Sequence, residues 1–479
     1  MVTAPRILIG IMGLAAVLRL HHVGTESLWL DEIISVAIAR LDWGTFWKLV
    51  SQFEANMVLY YGLLHFWIKL GESEAMVRGL SALAGFLTVP LLYALGGRLF
   101  STRVGLIGAL LLSINAFHIR FSQEARAYTL VVLLTTLSSF FFVKAIERNS
   151  RTDWAGYVLA AALAVYSHFF GVLIVGAQLA SLVLLPAKEV PWKRLLVSIS
   201  AMGLLLLPVA TFVFTRDQGQ LGSVPKLRPS DIYSLFESFS GGGKLLVLAY
   251  FVLCLIALLH AARTWFSSRI SRETWHYGFL LSWLLLPILV GLAVSIFKPL
   301  LVARYFIICL PPLVMLAAVG VSSINSGWVR AGSVVVLLVL AGHAVLFYYS
   351  HPEKEEWRQA TAYVVSHPTQ KDAILFYIDT GRLGFDYYAR LLGAAGQTGE
   401  VVFPASFDWG GDTAENGPDG SVLATLPEHY GRVWLFLSHD NTATRQQKAL
   451  ALETSLAAQY PDVKEQKFRG VRVLTFGRK

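Results

Sequence analysis

An all-α polytopic membrane body followed by a small α/β domain is the fold class that three observations predict. The 479-residue chain is 55% hydrophobic and only 15% charged, where soluble globular chains carry roughly 25% charged residues, and its mean hydropathy is +0.57. Apolar segments long enough to be helices in a bilayer recur up to about residue 349. Beyond that point the pattern changes to short apolar runs separated by polar, glycine-containing stretches, the rhythm of alternating strands and helices. The division is therefore expected at 1–349 and 350–479.

In chain order, the apolar runs predict about eleven transmembrane helices, near 7–22, 78–97, 104–119, 128–146, 154–168, 170–186, 195–213, 244–262, 276–296, 303–320 and 329–348. The first begins after Arg6 like a secretory signal, but no small-x-small cleavage site precedes Arg19 and His21, so it reads as a retained helix. The pair at 154–186 is one apolar run broken near Ser167-His168. Arg98 and Arg103, then Lys144, Arg148 and Arg151, then Lys188, Lys193 and Arg194, then Arg263, Arg269 and Arg272, and finally Arg330 occupy alternate links. With Arg6 they fall on one side of an eleven-span chain, which the positive-inside rule makes cytoplasmic. Asp31 and Glu32, the stretch around Glu124, the 214–243 loop and everything after 349 are then expected outside.

The first outer loop, about 23–77, contains two amphipathic stretches, Ile34–Leu41 and Trp43–Phe53, and the apolar run Met57–Leu70. They are expected to be helices on the outer membrane surface, with Trp29, Trp43 and Trp47 at the interface. If the last one crossed the bilayer, every later link would invert and the positive-inside pattern would fail. The tail predicts helix Glu356–Ser366, strand Ala373–Ile378, helix Phe385–Leu392, a polar loop at 408–421, strand Val433–Leu437, helix Lys448–Gln459 and strand Val471–Phe476. No glycine-rich phosphate loop follows its strands. The domain reads equally as a passive docking lid or as one that handles an acceptor.

The net charge of +9 is uneven: 14 Lys+Arg and 16 Asp+Glu after residue 349 leave the excess in the membrane body. That placement suits membrane lipids with anionic headgroups, and no basic run with interleaved aromatics suggests nucleic acid. Cys254 and Cys309 lie in apolar segments and read as small buried hydrophobes.

Four polar clusters are expected on the outer side: Asp31-Glu32; Glu54 with Asn56, Tyr60 and Tyr61; His118 to Tyr128, with Arg120, Glu124 and Arg126; and Lys298 to Tyr305, with Arg304. His168 stands apart in the Tyr166–Phe170 break. Carboxylates can take a proton from an acceptor, and guanidiniums can neutralise a departing phosphate. Group transfer from a phosphorylated lipid uses both. Each residue also has a plainer reading. The arginines would snorkel to headgroups, Glu124 would pair with Arg120 or Arg126, His168 and His118 would be satisfied helix-break histidines, Asn56 would be an N-cap, Tyr60 and Tyr61 would be aromatic anchors, and Asp31 would cap a solvated turn.

The motifs Ser27-Leu28-Trp29-Leu30-Asp31-Glu32, Glu54-Ala55-Asn56-Met57-Val58-Leu59-Tyr60-Tyr61 and Phe117-His118-Ile119-Arg120-Phe121-Ser122-Gln123-Glu124-Ala125-Arg126-Ala127-Tyr128 resemble those of membrane glycosyltransferases of the protein mannosyltransferase type, within the GT-C superfamily. That group includes the bacterial enzymes that put aminoarabinose on lipid A. The resemblance covers residues 1 to about 349 and identifies a superfamily rather than a substrate. It implies an inverting transferase of the cell inner membrane, using a polyprenyl-phosphate sugar and an extracytoplasmic lipid, glycan or protein acceptor. It also implies that Asp31 is catalytic with Glu32 as companion and Glu54 as a second acid, and that Arg126, Arg304 and Tyr305 bind the donor phosphate. Asn56, Tyr60, Tyr61, Glu124, His118 and His168 would then serve the acceptor or support the site. A divalent cation, Mg or Mn, would fall to Asp31, Glu32 and Glu54. Many members have His-Pro-Pro where this chain has Asn56-Met57-Val58, a departure that removes an imidazole able to hold such a cation. The competing classes are a polyprenyl-glycan flippase and a structural or sensory protein with an outer binding domain. Against the first, the charges gather at one face and no inverted repeat is evident. The second leaves the acids and arginines without a common purpose.

Overall fold

The computed structural model describes residues 3–215, 228–298, 300–367, 372–394, 396, 398–407, 409, 417–440 and 442–478. They divide into two compact units, one of Met1–Val23, Val50–Leu63 and Arg78–His351, the other of Gly24–Leu49, Leu64–Val77 and Pro352–Lys479. The helices run α1 (Ala4–Leu20), α2 (Leu30–Ala39), α3 (Trp43–Gln52), α4 (Val58–Trp67), α5 (Glu74–Leu99), α6 (Thr102–Ser113), α7 (Ala116–Ser122), α8 (Tyr128–Arg148), α9 (Arg151–Ser167), α10 (Gly171–Ser181), α11 (Trp192–Thr215), α12 (Pro229–Ser240), α13 (Lys244–Ser268), α14 (Arg272–Ser295), α15 (Leu310–Ser322) and α16 (Gly327–Ser350). The tail adds α17 (Trp357–Val365), β1 (Asp372–Phe376), α18 (Gly381–Leu391), β2 (Glu400–Phe403), α19 (Gly420–His429), β3 (Arg432–Ser438), α20 (Ala443–Gln459), β4 (Asp462–Phe468) and β5 (Val471–Gly477).

Each of the eleven expected spans falls on helix. Among the described residues 7 helices are long and apolar enough to cross a membrane, or up to 8 if the bent pair α6–α7 counts as one span. The expected spans at 7–22, 154–168 and 170–186 are the shorter α1, α9 and α10. The break at Ser167-His168 separates two helices, α9 and α10, rather than bending one.

The α6–α7 bend is 62°, and it shows how the first unit meets its backbone debts. A helix end leaves carbonyls without partners, and in an apolar setting each must be satisfied locally. Arg19, buried in the last turn of α1, donates Nη1 to Ser113 O at 3.1 Å and Nη2 to Leu112 O at 3.3 Å, both at the end of α6. Asn115 then caps α7 by accepting from His118 N at 2.9 Å. Gln123 closes the other side, donating Nε2 to Arg19 O at 3.0 Å and His21 O at 2.6 Å. Elsewhere α5 and α6 touch at two glycines, where a Cβ on Gly96 would stand 2.9 Å from Gly105 Cα, the close approach that small residues permit.

In the second unit the sheet order is β2-β1-β3-β5-β4, with β1 parallel to β2 and β3, and β5 antiparallel to β3 and β4. Both faces of its centre are covered, so β1 and β3 read as continuous apolar runs. Leu375, Val433 and Leu435 pack with Leu426, Leu452 and Leu456 of α19 and α20. On the other face Phe376 and Phe436 stack at 5.0 Å, and Phe436 lies over Trp357 of α17 at 6.2 Å. β4, Asp-Val-Lys-Glu-Gln-Lys-Phe, is an exposed, charge-rich edge strand, a composition that discourages pairing with other chains and hides the strand from an apolar-pattern reading. β2 and α19 were likewise not expected, and the polar loop at 408–421 lies largely outside the described residues.

The segment that carries Asp31 is anchored to this tail. Leu28 N donates to Tyr388 Oη at 2.6 Å, Ser27 Oγ to Gln359 Oε1 at 2.9 Å, and Arg358 Nη2 to Thr25 O at 2.7 Å. Gly384 on α18 makes room for α2, since a Cβ there would stand 3.3 Å from Ile33 Cδ1 and 3.0 Å from Trp357. Glu72 joins in, pairing with Arg40 at 2.5 Å and Arg390 at 3.0 Å.

Candidate active site

The first unit brings the lipid-phosphate candidates together around the α9–α10 break. His168 is buried, its ring 5.6 Å from Tyr305 and 6.3 Å from Tyr128. The Arg304 guanidinium lies 5.4 Å from the Tyr305 ring, and both Arg126 and Arg304 are near enough to act on His168 electrostatically. The break itself fixes the imidazole. Phe170 N donates to His168 Nδ1 at 3.3 Å, so the ring proton belongs on Nε2. That Nε2 is buried with no hydrogen-bond partner among the described residues. Two guanidiniums and an N–H donor therefore lie in one neighbourhood, residue types that suit phosphate oxygens.

Residues of the motif at 54–61, with Ser81, hold this cluster. Asn56 Oδ1 accepts from Phe169 N at 3.2 Å, 113 residues away, and so braces the turn beside His168. Tyr60 and Ser81 hydroxyls are 2.9 Å apart, and Ser81 Oγ donates to Arg126 O at 3.1 Å. Tyr61 is buried with its ring edge-on to Tyr60 at 6.5 Å. Met57, at a proline position of the motif that this stretch resembles, has φ +69°. Proline is locked near −65°, so the Asn56-Met57 departure goes with a backbone that proline cannot adopt.

Two other candidates do different work. His118 is buried 2.8 Å from Arg19 Nη2, inside the α1–α6–α7 joint rather than the His168 cluster. Glu124 is buried, accepts from Arg120 Nε at 3.5 Å, and its carbonyl accepts from Arg126 N at 2.8 Å. Glu54 is half-buried in the turn between α3 and α4.

The second unit carries the paired acids. Asp31 and Glu32 occupy the first turn of α2, where the helix dipole favours carboxylates. Glu32 is fully buried; its Oε2 accepts from the N-cap backbone, Trp29 N, at 3.3 Å, and lies 3.5 Å from Lys354 Nζ. Asp31 is half-buried. Beside it stands Glu355, which accepts from Leu30 N at 3.3 Å and Trp357 Nε1 at 2.6 Å and lies 3.3 Å from His439 Nε2. Burial first, and the Asp31 charge in addition, push the Glu355 carboxyl above its ordinary range, against the pull of His439, Trp357 and Leu30. Among the described residues no three His, Cys, Asp or Glu side chains gather as a metal site requires.

Sequence reasoning missed Ser81, Lys354, Glu355 and His439. Only the run Lys354-Glu355-Glu356, directly after the last span, could have drawn attention to two of them.

Residues 57–214, which contain Tyr60, Arg126 and His168, match the family model described as dolichyl-phosphate-mannose-protein mannosyltransferase. No curated protein matches the chain by sequence. Among solved structures, ArnT from Cupriavidus metallidurans in the apo state superposes with a TM-score of 0.64 at 13% identity, over 98% of this chain and 97% of that one. The same protein bound to undecaprenyl phosphate gives 0.62 at 12%, with the same coverage. The Archaeoglobus fulgidus oligosaccharyltransferase tethered to an acceptor peptide gives 0.54 at 12%, over 97% of this chain and 73% of that one. The fold is that of ArnT, and the long apolar helices are those of a multi-pass membrane protein.

Proposed function

We propose that this chain is a membrane glycosyltransferase of the GT-C type that moves a sugar, with inversion, from a polyprenyl-phosphate donor to an acceptor outside the cytoplasm. The observation that carries the reading is the donor set of Arg126, Arg304 and His168 Nε2–H gathered at one helix break. The family match over residues 57–214 and the ArnT-like course of nearly the whole chain support it. ArnT bound to undecaprenyl phosphate and the archaeal enzyme in complex with a dolichol-phosphate support a lipid-phosphate donor.

The acceptor's hydroxyl or amine attacks the anomeric carbon, the sugar–phosphate C–O bond breaks, and polyprenyl phosphate leaves with the electron pair. A monoanionic diester thereby becomes a monoester with additional negative charge. Arg126, Arg304 and the His168 N–H meet that charge as it forms, and preorganised donors of this kind act on the transition state more than on the ground state. The acceptor's proton goes to Asp31, a half-buried residue in the first turn of α2. Glu32, buried against Lys354, orients that turn. Glu54 is assigned to the acceptor side, with Tyr61. Every step runs through side chains, and addition of a chelator, which leaves turnover unchanged on this scheme, tests whether Mg or Mn takes part. The N-terminus lies in the cytoplasm of the inner membrane and residues 350–479 outside it; an impermeant thiol reagent on intact cells should label a cysteine in the tail and spare one at Arg263–Arg272.

The direct test incubates purified protein with polyprenyl-phosphate sugars and a crude membrane acceptor fraction, followed by mass analysis and assignment of the product anomer. A product heavier by one sugar with inverted linkage is expected. No transfer from any such donor, with donor bound, would remove the assignment.

A further inference from the structure

The first unit has a second feature outside the candidate active site, a groove of about 510 Å³ between α9 and α11. Its walls are helical stripes. Arg151, Val158 and Leu159 on α9 share one face at spacings of seven and eight residues, and Arg194, Val197, Ala201 and Leu205 on α11 do the same at three, seven and eleven. Each stripe therefore begins with a guanidinium and continues apolar. From Arg194 to Leu205 the helix rises about 16 Å, close to half of the roughly 30 Å hydrocarbon thickness. Tyr166 Oη donates to Leu205 O at 2.8 Å and ties the two helices together at the far end.

The charges at the open end are not committed elsewhere. Three other cations on the basic links are taken by acids: Lys144 lies 2.7 Å from Asp153, Arg272 Nε 2.5 Å from Glu189, and Arg98 pairs with Glu147. Arg151 and Arg194 have no acidic partner among the described residues, and Arg194 Nη1 is buried with no hydrogen-bond partner. A buried guanidinium N–H without an acceptor costs free energy, and an anion at the groove mouth would remove that cost.

We propose that this groove binds an anionic phospholipid of the leaflet on the basic-link side, its phosphate between Arg151 and Arg194 and one acyl chain along Val158, Leu159, Val197, Ala201 and Leu205. Charge complementarity and the one-leaflet length select this occupant over a zwitterionic lipid, which presents a cation beside its phosphate, and over free phosphate, which leaves the apolar walls exposed. The assignment is independent of the proposed transfer reaction, because its readout is lipid retention.

The test is native mass spectrometry of the full chain in detergent, with phosphatidylglycerol, phosphatidylcholine or inorganic phosphate added. The wild type should retain one phosphatidylglycerol at least tenfold more strongly than phosphatidylcholine, and 10 mM-order inorganic phosphate should not displace it, the expected behaviour when apolar burial contributes beyond the headgroup contact. Arg151→Gln with Arg194→Gln should abolish the preference while melting temperature and donor affinity stay at wild-type values. Ala201→Trp should block retention with both arginines intact. Equal retention of both lipids by the wild type, an unchanged preference in the double variant, or displacement by inorganic phosphate would each overturn the proposal. Displacement of the phospholipid by polyprenyl phosphate at equal concentration would also overturn it, assigning the groove to the donor lipid.

Discussion

The basic cluster of the first unit and the acidic turn of the second are built on opposite electrostatic plans. At Asp31-Glu32 the protein supplies its own counter-groups: Lys354 faces Glu32, and His439, Trp357 and the Leu30 N–H face Glu355. At His168 two guanidiniums and an N–H donor share one neighbourhood, and the Nε2 is left without a protein acceptor among the described residues. The first arrangement holds a backbone turn in place; the second leaves one buried N–H donor, at His168 Nε2, that acceptor oxygens would satisfy. A charge that the fold satisfies is evidence about stability. A donor that the fold leaves waiting is evidence about a ligand.

Asp31 carries the largest expected effect. Asp31→Asn should lower turnover 10²- to 10⁴-fold, the usual contribution of a general base, about 3–5 kcal/mol of barrier, with donor affinity and melting temperature retained. Turnover within about threefold of wild type would return Asp31 to the same structural class as Glu32. Lys354→Ala is the mirror experiment. Removing one member of a buried pair leaves an uncompensated charge, a loss of about 3 kcal/mol, so a lowered melting temperature is expected together with unchanged donor affinity. A variant as stable as wild type would mean that the Lys354–Glu32 pair holds nothing.

The smallest effect concerns pH. The folded Glu355 carboxyl releases its proton above the 4.5 of the free side chain. Between those two values the folded state binds more protons than the unfolded state, so this group's contribution to stability falls as pH rises through the window. Melting temperature measured from pH 4.5 upward should therefore decline less in Glu355→Gln than in wild type. Asp31→Asn should shrink the same decline, since the Asp31 charge adds to the shift. Parallel curves for all three proteins would separate Glu355 from Asp31 electrostatically.

What could be read in the sequence follows from how local its causes are. Apolar runs report helices without any knowledge of partners, and every expected span is helical. The tail's buried strands were legible for the same reason, while β4, exposed and charged, gave no apolar signal. Side-chain roles depend on contacts distant in the chain. Asn56 reads locally as a helix cap but bonds Phe169, and His118 reads as part of a charged motif but serves Arg19. Glu355 is separated from Leu30 by 325 positions, and no pattern in either segment announces the other. Arg126, Arg304 and His168 were each singled out as residue types that suit a phosphate or a helix break; that they share one neighbourhood needed the fold.

The most direct test of the account is the affinity of the purified protein for a polyprenyl phosphate, wild type beside Arg126→Gln with Arg304→Gln, in the same detergent and at the same ionic strength. Truncating a charge that is desolvated against a charged partner costs about 2–5 kcal/mol, so the double variant should lose at least 30-fold in affinity while its melting temperature stays within a degree or two. Arg→Lys at both positions should recover only part of the loss, because the two-pronged contact to phosphate is gone. Affinity within twofold of wild type would contradict the account, and the two arginines would then belong to the membrane headgroups instead of the donor.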